Sequence, residues 1–256
     1  MRAILLGCGG SAGVPMANGD WGACDPAEPR NRRSRPSLLV EWPGHRILVD
    51  TGPDLREQLA RTGSGHVDAI VYTHAHADHT HGIDDVRTIN WTMGRPVPAF
   101  GTAETLASIA ERFAYAFRPF DPARGLIRPH LEPTPITAPG FTIGDLVVRC
   151  GEHEHGRRTA TSLRFGRLAY STDIKELPED AEALLSGLDV WIVGCVRREP
   201  HPTHAHLEQV LDWVARFRPR RTILTHMNHS LDYASLIAEL PPGVEPGHDG
   251  MLIGVG

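Results

Sequence analysis

The stretch Ile70-Val-Tyr-Thr-His-Ala-His-Ala-Asp-His-Thr80 carries four potential metal ligands where an apolar run ends. His74 and His76 project to the same side if the chain stays extended, and Asp78 and His79 lie on the turn beyond. Imidazole and carboxylate groups suit divalent zinc, manganese or iron. Side chains of this kind, so close together, would repel one another if they were charged without a cation between them. The segment therefore predicts a transition-metal site at a strand end.

One motif does not complete a metal site, so later ligands are needed. His155, Asp173 and His226 each end a strand-like run, and His155 precedes a glycine that lets the backbone pass close to a metal. We expect these residues to meet the first cluster at one edge of the fold, where strands stop and loops begin. Asp50 has the same setting before Thr51-Gly52, and is either a turn residue or a supporting residue beside the metals. His153 is a weaker candidate because it lacks the adjacent glycine.

The remaining pattern predicts short buried strands and a few amphipathic helices. Strands are expected in apolar runs at Ala3–Leu6, Ser37–Glu41, Ile47–Val49, Ala69–Tyr72, Leu146–Arg149, Leu168–Tyr170, Val190–Val193 and Thr222–Leu224. Helices are expected at Glu104–Ala116, Pro178–Leu185, Leu207–Phe217 and Tyr233–Glu239. Strands and helices recur in two halves, which predicts two sheets packed face to face with helices outside. No linker or low-complexity tract divides the chain, so residues 1–256 are expected to form a single domain.

Composition narrows the function classes. The chain has 256 residues, of which 15 are His, a clustered excess that favours a metal site or acid–base chemistry. A net charge of −5 implies no general surface for polyanions, so strong nucleic-acid binding is not expected. No apolar run approaches the roughly 18–20 residues of a membrane span, and the N-terminus resembles a first strand more than a signal peptide. Four scattered Cys without a CxxC pair argue against a disulfide framework and favour a cytoplasmic location.

The chain resembles the metallo-β-lactamase superfamily, and within it the PhnP-like branch that opens phosphoribosyl 1,2-cyclic phosphate. The matching segments cover nearly the whole chain: Leu6–Pro15, Asp50–Gly52, His74–His79, His155–Gly156, Tyr170–Asp173, Leu224–His229 and Glu245–Met251. The resemblance implies a mixed α/β (α+β) fold, a four-layer αββα sandwich, and two divalent metal ions, Zn²⁺ or Mn²⁺. It also implies a shared water or hydroxide and these ligands: His74, His76 and His155 for the first metal, Asp78, His79 and His226 for the second, and Asp173 bridging both.

His204 stands with Thr203 just before the predicted helix Leu207–Phe217. A helix N-terminus presents free N–H groups and positive potential, which suits a phosphate. The resemblance implies that His204 binds phosphate or donates a proton, and we count it with Asp78 as catalytic. The alternative is a helix-capping residue.

Two basic segments have open interpretations. The tract Arg30–Arg35 is either a solvated, ion-paired loop or a source of one or two substrate contacts, of which Arg33 is our candidate. The planar fork of an Arg side chain suits bidentate contact with a phosphate. Arg157 and Arg158, beside His155, are candidates for the mouth of the site.

One departure from the resembled branch concerns a second metal. That branch often carries a CxCxxC segment whose three thiolates, with a later His, hold a structural zinc. Here Gly19 and Trp21 stand at two of the thiolate positions, which leaves Cys24 and His229. Two ligands do not complete a structural zinc site. The sequence therefore predicts no structural zinc.

These observations predict a dinuclear-metal hydrolase, most simply a phosphodiesterase acting on a small anionic ester such as a cyclic phosphate or nucleotide. One alternative is an RNA-processing nuclease similar to tRNase Z, although no basic face or added arm is apparent. Thioester or β-lactam hydrolysis on the same scaffold is another, because fold does not set substrate. The resemblance also implies a possible homodimer.

Overall fold

Two seven-stranded sheets carry the fold in a computed structural model that describes residues 1–123, 125–137 and 139–256. The strands are β1 Arg2–Gly7, β2 Ser37–Trp42, β3 His45–Val49, β4 Ala69–Val71, β5 Val97–Gly101, β6 Leu131–Pro135, β7 Gly140–Ile143, β8 Leu146–His155, β9 Arg158–Phe165, β10 Leu168–Ser171, β11 Val190–Gly194, β12 Arg221–Thr225, β13 Val244–Pro246 and β14 Met251–Gly254. The helices are α1 Leu55–Thr62, α2 Ala77–Thr80, α3 Val86–Met93, α4 Ala103–Arg112, α5 Ala181–Leu185, α6 Leu207–Phe217 and α7 Tyr233–Glu239.

Both sheets are mixed. The first has the order β14-β1-β2-β3-β4-β5-β6 and the second β13-β12-β11-β10-β9-β8-β7. Strands β3 to β6 run parallel, as do β10 to β13, whereas the remaining neighbours are antiparallel. The carboxyl ends of parallel strands meet at one edge, where loops can gather functional side chains.

Side chains alternate between the two faces of each strand, and this alternation produces four layers. On β1, Ala3 and Leu5 belong to a core shared with the second sheet, whereas Ile4 and Leu6 belong to a second core under α1, α3 and α4. Successive side chains of a strand point to opposite faces, so each sheet buries both of its faces. Side chains of α5, α6 and α7 cover the outer face of the second sheet. The predicted αββα sandwich is confirmed.

Local chemistry explains several helix boundaries. At the start of α4, the Thr102 hydroxyl accepts a hydrogen bond from the Thr105 N–H, and Asp232 caps α7 in the same way through Ser235. Gly63 and Gly94 end α1 and α3 in the left-handed conformation, with φ of 65° and 67°. Among the described residues, no helix is long and apolar enough to span a membrane.

The element predictions were accurate where a pattern was strongly periodic. Helices α6 and α7 have the predicted bounds. The helix expected over Glu104–Ala116 ends at Arg112, where a 3₁₀ turn over Ala114–Phe117 replaces its last turn. The helix expected from Pro178 begins at Ala181 instead. Helices α1 and α3 were missed, as were strands such as β5 and β9.

Candidate metal centre

Strand ends bring the predicted ligands to one edge of the sandwich. The segment from His74 to His79 follows β4, and His155 is the last residue of β8. Asp173 follows β10, and His226 follows β12. All of the predicted ligands except His76 are buried. Residues that lie up to 152 positions apart in the sequence therefore converge on one centre.

The first ligand group consists of His74, His76 and His155, whose donor atoms all lie within 4.8 Å of one another. His155 Nε2 is 3.1 Å from His76 Nδ1. Nε2 of His74 is buried without a hydrogen-bond partner. Burial lowers the pKa of both His74 and His76, which favours the neutral imidazole that a metal requires. These side chains fit a cation held by three nitrogens.

The second ligand group consists of Asp78, His79, Asp173 and His226, again with donor atoms within 4.8 Å of one another. His79 Nε2 lies 3.0 Å from Asp173 Oδ2, and His226 Nε2 lies 3.3 Å from Asp173 Oδ1. Nε2 of His79 is buried and makes no hydrogen bond of good geometry, although the Asp173 carboxylate lies 3.0 Å away. Orphaned buried nitrogens of this kind are costly unless something binds them. The donor set therefore fits a second cation.

Asp173 connects the two groups. Its Oδ1 lies 3.9 Å from His74 Nε2 and 3.4 Å from His155 Nε2, while its Oδ2 faces His79. Burial by itself would raise the pKa of Asp173, but His226, His79 and His74 outweigh that effect and hold it well below the usual value. Asp173 is therefore a buried carboxylate that stays charged, as a bridging metal ligand must.

Asp50 orients ligands from behind the centre. Its Oδ2 lies 2.7 Å from His79 Nδ1 and accepts a hydrogen bond from the Thr73 hydroxyl at 2.8 Å. The same hydroxyl oxygen lies 3.1 Å from His74 Nδ1, so one carboxylate fixes the ring of one ligand directly and that of another through Thr73. Outer hydrogen bonds of this kind set the tautomer of a metal-binding His. Of the two interpretations for Asp50, the supporting role fits the geometry.

Backbone strain concentrates at the same place. Among the described residues, four non-glycine residues have a positive φ, and three of them are Asp50, Asp173 and His226, at 64°, 52° and 56°. The fourth, Arg218, ends α6. Strained conformations persist where the surroundings over-determine them, and they cluster at functional sites.

His204 reaches the centre from the loop before α6. The helix begins at Leu207 with His206 as its N-cap, so His204 lies two residues outside the cap rather than within the helix start. His204 Nε2 is 3.1 Å from Asp173 Oδ1, and its Nδ1 is 2.8 Å from the Thr203 hydroxyl. The Thr203 carbonyl oxygen lies 3.0 Å from His155 Nδ1. Thr203, which sequence reasoning treated only as a helix-start residue, therefore contacts both a ligand and His204.

The structure corrects the prediction that Arg33 contacts substrate. Its side chain is only 2% exposed. The guanidinium donates to the carbonyl oxygens of Leu231 at 2.6 Å and Asn228 at 3.0 Å, and to Asn31 Oδ1 at 3.2 Å. These hydrogen bonds join the loop of Arg33 to the loop that contains Asn228 and Leu231. Elsewhere in the tract, Arg30 pairs with Glu28 and Arg35 pairs with Asp54, so the ion-paired interpretation holds.

The segment that holds a structural zinc in the resembled branch has different contacts here. The Cys24 thiol is buried and lies 3.5 Å from the Leu231 carbonyl oxygen, and burial raises its pKa. His229 Nε2 lies 3.9 Å from Asp20 Oδ2. Among the described residues, no cluster of three or more ligating side chains includes Cys24 or His229. The absence of a structural zinc stays a prediction.

The centre opens to the surface through a cavity of about 300 Å³. Its walls include the ligands His76, His155 and Asp173 together with His204. Arg157 and Arg158 line the same cavity, as expected for residues at the mouth, and Ser11 is a lining residue that sequence reasoning missed.

Comparison with known proteins agrees with this architecture. A model of the family described as Beta-lactamase superfamily domain matches residues 45–227. A crystal structure described as a new diphosphatase from the PhnP family is 32% identical, covers 100% of this chain and 98% of its own, and superposes with a TM-score of 0.90.

Two curated relatives have other names. A protein of Porphyromonas gingivalis called octanoyltransferase is 35% identical over 98% of this chain, but over only 51% of its own length. Ribonuclease Z of Methanopyrus kandleri is 29% identical over 51% of this chain and 43% of its own length. The chain thus spans about half the length of these relatives. With a family match over most of its length and a full-length PhnP relative above 30% identity, the chain belongs to the β-lactamase superfamily and, within it, to the PhnP family.

Proposed function

We propose that this protein is a hydrolase, a two-metal phosphodiesterase that acts on a small anionic phosphoester. The observation that carries the proposal is the position of Asp173 between the two ligand groups, 3.4 Å from His155 Nε2 on one side and 3.0 Å from His79 Nε2 on the other. His204 Nε2 lies 3.1 Å from the same carboxylate. Two cation sites joined by one carboxylate suit a phosphate, whose attacked and leaving oxygens each need a positive partner. The similarity to a PhnP-family diphosphatase supports phosphoryl chemistry.

The ligands we propose are those expected from the sequence: His74, His76 and His155, then Asp78, His79 and His226, and Asp173 between the groups. Two divalent ions, Zn²⁺ or Mn²⁺, would supply an activated water and polarise the phosphoryl oxygens. The task of the chain is to hold these ligands in the right orientation. Asp50 fixes the ring and the tautomer of His79 at 2.7 Å, and the Thr203 carbonyl does so for His155 at 3.0 Å.

His204 is proposed as the phosphate-binding residue or proton donor. Its Nδ1 is engaged by the Thr203 hydroxyl at 2.8 Å, which leaves Nε2 facing Asp173 and the cavity. An imidazole held in this way can bind a phosphoryl oxygen, or hand a proton to the oxygen of the departing alcohol. Its side chain is 15% exposed, so a substrate in the cavity can reach it.

The two alternatives remain as arms of the test. A relative called ribonuclease Z makes RNA cleavage the first alternative activity. Against it, a net charge of −5 gives the chain no general attraction for a polyanion. A relative called octanoyltransferase makes acyl chemistry the second alternative, although that protein is about twice as long as this chain. A homodimer and a cytoplasmic location stay predictions.

The test is a substrate panel with protein loaded with Zn²⁺ or Mn²⁺. It comprises bis-p-nitrophenyl phosphate, a nucleoside 2′,3′-cyclic phosphate, a dinucleoside diphosphate, a precursor tRNA, a glutathione thioester and a cephalosporin. We expect hydrolysis of the small diesters, abolished by a chelator and restored by metal. Cleavage of the thioester or of the tRNA alone would contradict the proposal. The dinucleoside diphosphate separates a diester specificity from an anhydride specificity.

A further inference from the structure

The loop before α6 places another histidine, His201, directly behind His204. The centroids of the two rings are 4.8 Å apart, and the rings meet edge to face at 71°. Pro200 and Pro202 flank His201 and restrict the backbone on both sides of it. The Arg197 guanidinium donates a hydrogen bond to the carbonyl oxygen of Pro200, which ties the loop together. The ring of His201 therefore has a defined position.

Nδ1 of His201 is a hydrogen-bond acceptor. The backbone N–H of Thr203 donates to it, with 3.2 Å between the two nitrogens. A backbone N–H can only donate, so Nδ1 carries no hydrogen and the hydrogen of the neutral ring is on Nε2. Partial burial, together with the nearby His204 and Arg197, lowers the pKa of His201 to about 4. The ring is therefore neutral at neutral pH, and its Nδ1 has a lone pair to offer.

This acceptor decides which nitrogen of His204 carries hydrogen. Nδ1 of His204 lies 3.2 Å from Nδ1 of His201. Two unprotonated nitrogens at this distance would turn their lone pairs toward each other, so the arrangement requires an N–H at Nδ1 of His204. The Thr203 hydroxyl oxygen lies 2.8 Å from Nδ1 of His204 and 3.3 Å from Nδ1 of His201, so it can accept from the first and donate to the second. All of these contacts favour the same tautomer.

We propose that His201 is a positioning residue that fixes the tautomer of His204, with hydrogen on Nδ1. Nε2 of His204, which lies 3.1 Å from Asp173 Oδ1, is then the nitrogen at which a proton enters and leaves the ring. His204 lines the cavity over the metal centre, so this exchange takes place where the substrate would lie. The inference rests on the proposed function, because it gives His204 a defined task in the reaction.

The tautomer matters for the direction of proton transfer. A ring that hands its Nε2 proton to the departing alcohol oxygen is left neutral with hydrogen on Nδ1, which is the form whose N–H faces the acceptor on His201. Without that acceptor, the Thr203 hydroxyl is free to turn and donate to Nδ1 of His204. The neutral ring would then carry its hydrogen on Nε2, and the product of proton donation would lose its hydrogen-bond support.

Two variants separate the acceptor atom from the rest of the side chain. In His201→Asn, the amide oxygen takes about the place of Nδ1 and can accept the same hydrogen bonds, whereas in His201→Gln it lies nearer the place of Nε2. We expect His201→Gln to lower kcat on a nucleoside 2′,3′-cyclic phosphate at least about 10-fold with KM nearly unchanged. His201→Asn should keep the wild-type rate. On bis-p-nitrophenyl phosphate both variants should match wild type, because nitrophenolate leaves without a proton.

A spectroscopic measurement tests the tautomer without turnover. ¹⁵N NMR of the histidine rings is recorded on Zn²⁺-loaded protein at alkaline pH, where an ordinary imidazole is neutral, and His204→Ala identifies the signals of that ring. We expect a protonated Nδ1 of His204 in wild type and in His201→Asn, and a substantial population of the Nε2–H form in His201→Gln.

The two measurements fail separately. A protonated Nδ1 of His204 that depends on the acceptor at position 201, in a protein that hydrolyses no phosphoester, supports the tautomer assignment while the proposed function fails. An unprotonated Nδ1 in wild type overturns the inference. So does a His201→Gln variant with the rate and spectrum of wild type, or a His201→Asn variant as slow as His201→Gln.

Discussion

Two regions of this protein contain potential metal ligands, and the buried nitrogen atoms of the two regions have different hydrogen-bond partners. At the metal centre, Nε2 of His74 and of His79 are buried without hydrogen-bond partners. In the loop region around Cys24, the Arg33 guanidinium instead donates to the backbone carbonyls of Asn228 and Leu231. The first region brings imidazole nitrogens that can bind a cation close to one another, whereas in the second the terminal nitrogens of the Arg33 guanidinium bind the chain itself and only its Nε has no partner among the described residues.

The difference shows what distinguishes a metal site from a polar contact. Both regions contain a carboxylate near an imidazole, since Asp20 lies 3.9 Å from His229 just as Asp173 lies near His74. Of the two regions, as far as the structure describes them, the centre alone brings several donor atoms within 4.8 Å of one another. The outer ring nitrogens there have second partners such as Asp50. Metal binding is supported where outer hydrogen bonds orient each ring and the inner nitrogens face one another.

Replacing the shared carboxylate should produce the largest effect. Asp173→Asn keeps the shape, and Asn tolerates the positive φ at this position, so the backbone should be preserved. We expect kcat/KM to fall by at least about 10³-fold, with loss of bound metal, because both ligand groups lose their common charge. Metal analysis and steady-state kinetics measure the two effects.

The control for this substitution is Asp189→Asn, which alters another buried carboxylate that pairs with Arg167 away from the centre. Metal content should not change in that variant. Full metal content and full activity in Asp173→Asn would mean that Asp173 is not the bridge.

His204→Ala should have the next largest effect. Bound metal should persist while turnover of a nucleoside cyclic phosphate falls about 10²-fold, the usual contribution of a general acid. The loss should be much smaller for bis-p-nitrophenyl phosphate, because nitrophenolate leaves without needing a proton. Equal losses on both substrates would favour phosphate binding over proton donation, and unchanged turnover would remove His204 from the mechanism.

His229→Ala is the matching change in the other region. We expect it to alter neither turnover nor the metal content by more than about 2-fold, the scale of an ordinary surface substitution. A third bound ion per chain that disappears with His229 would contradict the prediction of no structural zinc.

Arg33→Met tests whether the Cys24 region is held by the guanidinium. The substitution removes the donors that satisfy the carbonyls of Leu231 and Asn228, so the free energy of unfolding should fall by about 2 kcal/mol. Urea denaturation measures this change. Arg32→Met, which alters an exposed neighbour that stacks over Trp21, should change stability by less than about 0.5 kcal/mol. Equal stability of both variants would show that the Arg33 contacts do not hold the loops together.

The sequence was sufficient for the layers and for the identity of the clustered side chains. The period of apolar residues fixes which face of a helix or strand is buried, and this is why α6 and α7 were predicted with correct bounds. Strand β9 was missed because its residues Arg158-Thr-Ala-Thr-Ser-Leu-Arg-Phe165 show no apolar run, and its burial is decided by pairing with β8.

Contacts between distant segments were outside what the pattern could reveal. Arg33 was assigned to substrate from its charge, yet its environment depends on carbonyl groups about 195 positions away. The role of Asp50 stayed open for the same reason, since its contact with His79 spans 29 positions. A short-range pattern reports local conformation and chemistry, whereas second partners are set by tertiary packing.

Thr203→Val should have a smaller and more selective effect than His204→Ala, because it removes one hydroxyl and little else. The backbone carbonyl that orients His155 remains, so metal content should not change, while the hydrogen bond to His204 Nδ1 is lost. We expect kcat on a nucleoside cyclic phosphate to fall about 10-fold with KM nearly unchanged, in the range of an outer-shell loss. Thr203→Ser, which keeps the hydroxyl, should restore the rate. If Ser is as slow as Val, the methyl group that packs on Gly156 matters as well as the hydroxyl, because Val keeps that methyl group and Ser does not. A Thr203→Val variant with the wild-type rate would show that the hydroxyl does not set the orientation of His204.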